Sequence, residues 1–391
     1  LGYILQTKIQ INMQGLRSSL ILPFSLLFLL HSKHKRQVMV VLIIISLLTC
    51  IFAGAENAPS IYQRHDINQT RGNLNKITKN TSYIGASGAD SEQYFESLAK
   101  VLSVFEEDHS LKINPTAYPK IAIKVETGFA PGLQTSKFLL EGVIKFLERR
   151  GYGKENVIIF DKDKDGLERA GFLPDDEAEI YQGHRVFHSM NENYFMQGWF
   201  HDSPLPPSSF DRAKLILKFP SDSQYRFQEE RKSYLPAMLF KDSYWINLAV
   251  PMDDVFLGVD GAASNISLGA INNNARFLQK KTMAPATVAE ILAIPEIWEK
   301  RIFSILDFSN YQIANGQRFD SKYTEKNTCF FLSKNPFALD YLAWKLISQK
   351  RVERKLRKRV LNDSLLFRYA EELGLGSPQK TIVKNMSHQN L

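Results

Sequence analysis

Between residues 119 and 161 the chain reads strand, helix, strand, and no other stretch constrains the fold as strongly. The run PKIAIKVETG has the length and branched apolar content of a buried strand, and NVIIFD, ending at Asp161, is a second. Between them Leu139, Val143, Phe146 and Leu147 share one helical face, while Glu141, Lys145, Glu148 and Arg149 turn outward. Gly151 closes that helix in the way a helix C-terminus favours. Strand, helix, strand within about 45 residues is a βαβ unit, whose crossover implies parallel pairing.

Further apolar runs recur as AKLILKF (213–219), SYWINLAV (243–250), RIFSILDF (301–308) and TCFFLS (328–333). Helical patterns near 90–106, 287–294 and 336–361 lie among them. Six strand candidates alternating with helices predict an α/β domain over 90–375, its mostly parallel sheet of about six strands covered by helices on both faces. Residues 376–391 read as a flexible tail, and no internal repeat is present.

Residues 1–55 read as a signal peptide or signal anchor. Lys33, Lys35 and Arg36 precede the charge-free apolar run 38–52, and Ala53-Gly54-Ala55 offers small residues for cleavage. Met39 is an alternative start, which would make 1–38 an over-extended beginning. Cleavage after Ala55, lipidation at Cys50 and retention as an anchor all fit the polar, Asn- and Ser-rich linker at 56–89 that follows. The expected location is therefore exported: periplasmic, secreted or membrane-anchored.

Charge sharpens when divided by region. The chain has 49 basic and 41 acidic residues, but five of the basic ones and no acid lie in 1–55. Eight more, against the single acid Glu353, lie in the segment 345–359, so the remainder is slightly acidic. That distribution argues against a nucleic-acid footprint and leaves the basic helix 345–359, with the N-terminal segment, as a candidate membrane contact. Cys329 is the one cysteine beyond the leader, which excludes an internal disulfide and a cysteine-ligated iron–sulfur cluster in the exported part.

In an open parallel sheet ligands bind beyond the carboxyl ends of the strands. That rule nominates Lys124, Glu126, Thr127 and Gly128 after the first strand, Asp161, Asp163 and Asp165 after the second, the loop 251–274, and the helix entrance 335–340. Several of these pieces, taken in order over roughly 119–351, resemble the domain of unknown function 362 family. IAIKVE resembles its opening strand, with Lys124 at the family lysine and Glu126 where asparagine is usual. DSYWINLAVP is similar to its strand ending in proline, GVDGAASNISLG to its glycine-rich turn with Asn265 and Gly269, and SKNPFALDYLAWKLI to its closing segment with Asp340. The family's lysine and histidine after the prolyl strand are replaced by Met252-Asp253-Asp254-Val255-Phe256, and a further lysine by Ser264. A cationic pocket has become acidic or neutral, and the ferredoxin-like cysteines of some relatives are missing.

Physically, Asp340 sits in the first turns of a helix, where unpaired N–H groups and the helix dipole favour a carboxylate whether or not it has a further role. With Asp254 and Asp253 at strand ends it would hold a hard cation such as Mg²⁺ or Ca²⁺. Asn265 would orient a substrate oxygen, Lys124 would pair with an anionic group, and Glu126 and Arg276 are further candidate substrate contacts. Asp161, Asp163, Asp165 and Gly166 match the first half of a calcium loop, but Phe172 stands where the closing Glu belongs. His184 and His188 are four apart without the adjacent glutamate of a zinc-peptidase helix, and the proline-containing segment near 204–207 reads as an excursion from the sheet, a candidate lid. P-loop, nucleophile-elbow and dinucleotide fingerprints are absent. Two functions remain: a metal-assisted enzyme on a small anionic substrate, with Asp340, Asp254, Lys124 and Asn265 in its site, or a non-catalytic exported binding protein that kept the fold and lost the basic residues.

Overall fold

The chain enters its fold earlier than its composition suggests. In the computed structural model, which describes residues 80–173, 178–240, 242–360 and 364–387, Thr81–Ala86 form strand β1, buried at every residue but the last. The expected linker bounds 56–89 are corrected at their end, since Thr81–Ala86 belong to the sheet; the rest of the expected linker up to residue 79 and the expected leader at 1–55 lie outside the described residues. Helix α1 (Ser91–His109) follows, its N-terminus capped by Asp90, whose side chain accepts from the Gln93 N–H. Then comes the expected unit: β2 (Lys120–Val125), α2 (Lys137–Arg149) and β3 (Val157–Phe160). The two strands pair in parallel, with Ile121 opposite Val157 and Lys124 opposite Phe160. Leu139, Val143, Phe146 and Leu147 are buried, as their spacing requires.

After the short helix α3 (Lys164–Ala170), strands β4 (Ile180–Tyr181) and β5 (His184–Phe187) complete one edge of the sheet. The chain then leaves the sheet. Strand β6 (Phe195–Asp202), helices α4 (Ser209–Lys218) and α5 (Ser223–Arg231) and strand β7 (Lys232–Pro236) form an excursion, with β6 and β7 paired antiparallel. The strand expected at 213–219 is thus corrected to the end of α4. The Ser208 hydroxyl accepts from the Asp211 N–H and starts the helix, and the apolar residues Phe210, Ala213, Ile216 and Leu217 recur at helical spacing.

The second half returns to the sheet through β8 (Ser243–Ala249). It continues with the short strands β9 (Met252–Asp254) and β10 (Gly258–Asp260), then helices α6 (Ala262–Ile266), α7 (Met283–Leu292) and α8 (Pro295–Trp298). Strands β11 (Arg301–Asp307), β12 (Tyr311–Gln312), β13 (Thr324–Glu325) and β14 (Cys329–Ser333) lead to α9 (Pro336–Glu353), α10 (Leu366–Glu372) and β15 (Ile382–Asn385). The main sheet has nine strands in the order β15-β1-β14-β11-β8-β2-β3-β5-β4, three more than the apolar runs indicate. Strands β11, β8, β2, β3 and β5 run parallel, and β14 is antiparallel to both of its neighbours. The expected flexible tail is corrected as well, because β15 pairs in parallel with β1.

Alternation along β8 shows how the sheet is sandwiched. Ile246 and Leu248 enter the apolar layer that holds Leu98, Leu102, Val143 and Leu147 of α1 and α2, while Trp245 and Ala249 enter the one with Val288, Leu339 and Phe367 of α7, α9 and α10. Both faces are therefore covered by helices. The expected long basic helix stops at Glu353, and part of its charge is used internally: Asp253 accepts from Arg359 at 2.7 and 2.8 Å and pairs with Arg351 at 3.2 Å. Among the described residues no helix is long and apolar enough to cross a membrane.

Candidate functional site

At the carboxyl ends of the parallel strands lies a polar floor in which each group is matched to a partner. Lys124, only 1 % exposed at the end of β2, donates to the Val125 carbonyl and to Asn265 Oδ1, both at 2.7 Å, and pairs with Asp161 Oδ1 at 3.1 Å. A buried ammonium with three acceptors for its three N–H groups leaves no donor unsatisfied. Asn265 Nδ2 donates to Asn247 Oδ1 at 2.8 Å, and Asn247 Nδ2 donates to the Ala262 carbonyl at 2.7 Å. Asp161 also receives the Thr127 hydroxyl at 2.7 Å and the Lys162 N–H at 2.6 Å.

Asp340 locks this floor from beneath. It is fully buried, and its two oxygens accept from the N–H groups of Ala262 and Ala263 at 2.6 and 2.9 Å, so a carboxylate from α9 caps the short helix that carries Asn265. The carboxylate lies so close to Gly261 that a side chain there would collide with it. Burial pushes the Asp340 carboxyl up to about 7 against the pull of those two N–H groups.

Above the floor opens a cleft of about 670 Å³. Its lining includes Glu126, Asp161, Asp163, Asp254 and Asp260, with Asp211 and Glu229 contributed by the excursion. Lys162, Lys214 and Lys232 are the cations of the lining, so carboxylates outnumber them. Asp254 Oδ1 accepts from the Phe256 and Leu257 N–H groups, both at 2.7 Å, and burial raises its pKa. Glu126 accepts from the Gly128 N–H at 2.9 Å, and burial raises it too, against the opposing pull of Lys124. Asp260 is hydrogen-bonded to the Ser264 hydroxyl; burial first, then the charges of Glu126 and Asp254, push it up to about 8. It is therefore largely protonated at neutral pH. Lys162 donates to the Ile271 carbonyl at 3.2 Å, and burial brings its ammonium down to about 8.

The sequence candidates thus take different places. Lys124, Asn265 and Asp161 meet in the floor, and Glu126 and Asp254 line the cleft. Asp340 does not line the cleft and acts through α6 instead. Arg276 is corrected from a substrate contact to a structural clamp: it is buried and donates to the carbonyls of Leu205, Glu230 and Arg231 and to the Ser233 hydroxyl, residues that bracket the two helices of the excursion. The acids of the calcium-like loop part ways, with Asp161 in the floor, Asp163 facing Arg169 at 3.5 Å and Asp165 in the first turn of α3. His188 pairs with Glu179 at 2.9 Å, whereas His184 lies 3.5 Å from Glu148. Among the described residues no three His, Cys, Asp or Glu side chains come together as a metal-holding group.

Sequence reasoning missed Asn247 and Lys162, and reached Asp260 only as one residue of the nominated loop 251–274. Asn247 had a usable signal, being an amide in the middle of the apolar run SYWINLAV, where a buried polar group needs a partner. Asp260 and Lys162 are ordinary loop residues in sequence, and only the convergence of separate strand ends makes them neighbours of one cleft.

The fold and site describe a mixed α/β protein with an acidic cleft at the carboxyl edge of its parallel strands. No family model matches the chain, and no curated protein matches it. Among solved structures it is similar to a protein from Thermotoga maritima, with a TM-score of 0.38 and 12 % identity over 66 % of this chain and 59 % of that one.

Proposed function

We propose that the cleft binds a small molecule rich in hydrogen-bond donors, carrying an amine or another cationic group, and that Asp260 exchanges a proton with it. The supporting observation is Asp260 itself: a carboxyl that is mostly neutral at pH 7, open to the cleft and beside Glu126 and Asp254. A carboxyl held near neutrality serves as acid in one protonation state and base in the other. The surplus of carboxylates turns the expectation away from an anionic substrate, since Lys124 is fully engaged in the floor. No step is assigned to a metal.

Binding without chemistry is the second reading, favoured by the chain Lys124–Asn265–Asn247, whose polar atoms pair with one another as a rigid floor would. The relationship to the domain of unknown function 362 family is likewise our proposal. Its support is that Lys124, Asn265 and Asp340, taken from three distant segments, act on one small helix. Titration calorimetry with a panel of amines, amino sugars and inorganic phosphate tests the binding. An amine is expected to bind and phosphate not to, and Asp260→Asn should weaken the amine by roughly tenfold or more, the scale of a charge-assisted hydrogen bond. Tight phosphate binding would contradict the proposal.

A further inference from the structure

Helix α4 is amphipathic in the wrong sense for a protein surface. At 100° per residue, Phe210, Ala213, Ile216 and Leu217 fall within about 120° of arc. All four are exposed, with Phe210 at 69 % and Leu217 at 81 %, and no residue of the helix is buried. The opposite side supplies Asp211 and Leu215 to the cleft. Phe227 of α5, 66 % exposed, adds to the outward apolar surface.

Cations flank this stripe. Lys214 borders one side, with its ammonium 4.2 Å from the centre of the Phe210 ring, and Lys218 follows one turn on, over the Phe219 ring. Neither makes an ion pair among the described residues; Arg212, on the other border, lies 3.5 Å from Glu230. An outward apolar stripe edged by long cationic side chains is the pattern of a helix lying in a bilayer interface, the aromatic and aliphatic groups entering the acyl boundary and the ammonium groups reaching lipid phosphates.

We propose that α4, with Phe227, docks on an anionic lipid bilayer. The charge of the flanks selects lipid phosphate, and the apolar run 38–52, read from the sequence as an export signal or anchor, would keep the chain close to such a surface. Because Asp211, Lys214 and Leu215 also line the cleft, docking sets the cleft mouth at the membrane. Arg276 holds the carbonyls of Leu205, Glu230 and Arg231, which bracket the α4–α5 pair in sequence. This inference is independent of the cleft chemistry.

The test uses the full chain with Cys50→Ser and Leu217→Cys carrying an environment-sensitive dye; Cys329 is buried. The same dye is placed at exposed Lys280→Cys as a control. On vesicles containing phosphatidylglycerol the emission of the position-217 label should shift to the blue, high salt should reverse the shift, and the position-280 label should stay unchanged. Three results would overturn the proposal: an unshifted position-217 label on chain that sediments with the vesicles, an equal shift on phosphatidylcholine alone, or a shift that grows with protein concentration in the absence of lipid, which would assign the surface to a second copy of the chain.

Discussion

The floor of the cleft and the helix that overhangs it are built on opposite principles. In the floor Lys124, Asn265, Asn247 and Asp161 are buried, and they satisfy one another at ordinary hydrogen-bond distances. The overhanging helix α4 buries none of its residues and turns its apolar side to solvent. A matched buried network holds one geometry, because any loosening strands a charge or an amide away from water. A helix without a core-facing stripe adds little to stability, so its sequence is free to answer to something outside the fold. The contrast places a matched network under the ligand and an outward apolar surface at the cleft mouth.

The largest effect should come from the floor. Replacing Lys124 by Ala leaves the Asp161 carboxylate buried without its cation, and breaking a buried pair in this way costs about 3–5 kcal/mol. For a domain of this size that corresponds to a fall in Tm of roughly 10 °C, measured by calorimetry or circular dichroism. A change near zero would show that the floor is not the rigid element described here. Asp340→Ala should have the intermediate effect, since it removes both hydrogen bonds that cap the N-terminus of α6 and leaves two buried N–H groups unpaired, at about 1–3 kcal/mol. Its second signature is weakened ligand binding without any contact to the ligand, because Asn265 rides on the same helix. Leu217→Ser, on the overhang, should alter stability by less than about 0.5 kcal/mol. A large loss there would mean that α4 packs against the domain after all, which would erase the contrast.

Much of this organisation was legible in the sequence, and the failures are instructive. The βαβ unit and the strands SYWINLAV, RIFSILDF and TCFFLS are central and apolar enough to announce themselves. β1 and β15 were hidden because TSYIGA and IVKN are short and sit amid polar residues. Their pairing joins chain segments about 300 residues apart, which no local pattern encodes. AKLILKF misled for the converse reason, since its apolar content is that of a strand while the Ser208 cap makes it helical. Lys124, Asn265 and Asp340 stand out in the sequence by position, and the fold brings all three to one small helix: Asp340 reads as a catalytic acid by position and acts as a cap by geometry. Asp260 acquires its character from burial and from carboxylates contributed by other loops, and that information is three-dimensional.

Asp260 also makes a pH-dependent contribution whose sign follows from linkage. A carboxyl raised in the folded state binds its proton more tightly there than in the unfolded chain, so stability falls as pH rises from the ordinary carboxylate range near 4 towards 8. The most direct measurement is the titration of this one carboxyl, by infrared difference spectroscopy of the wild-type chain against Asp260→Asn. The structure predicts a protonated-carboxyl band that is absent from the variant and disappears with a midpoint at about 8. A midpoint near 4 would show Asp260 ionised at neutral pH and would contradict its proposed role as the proton-exchanging group of the cleft.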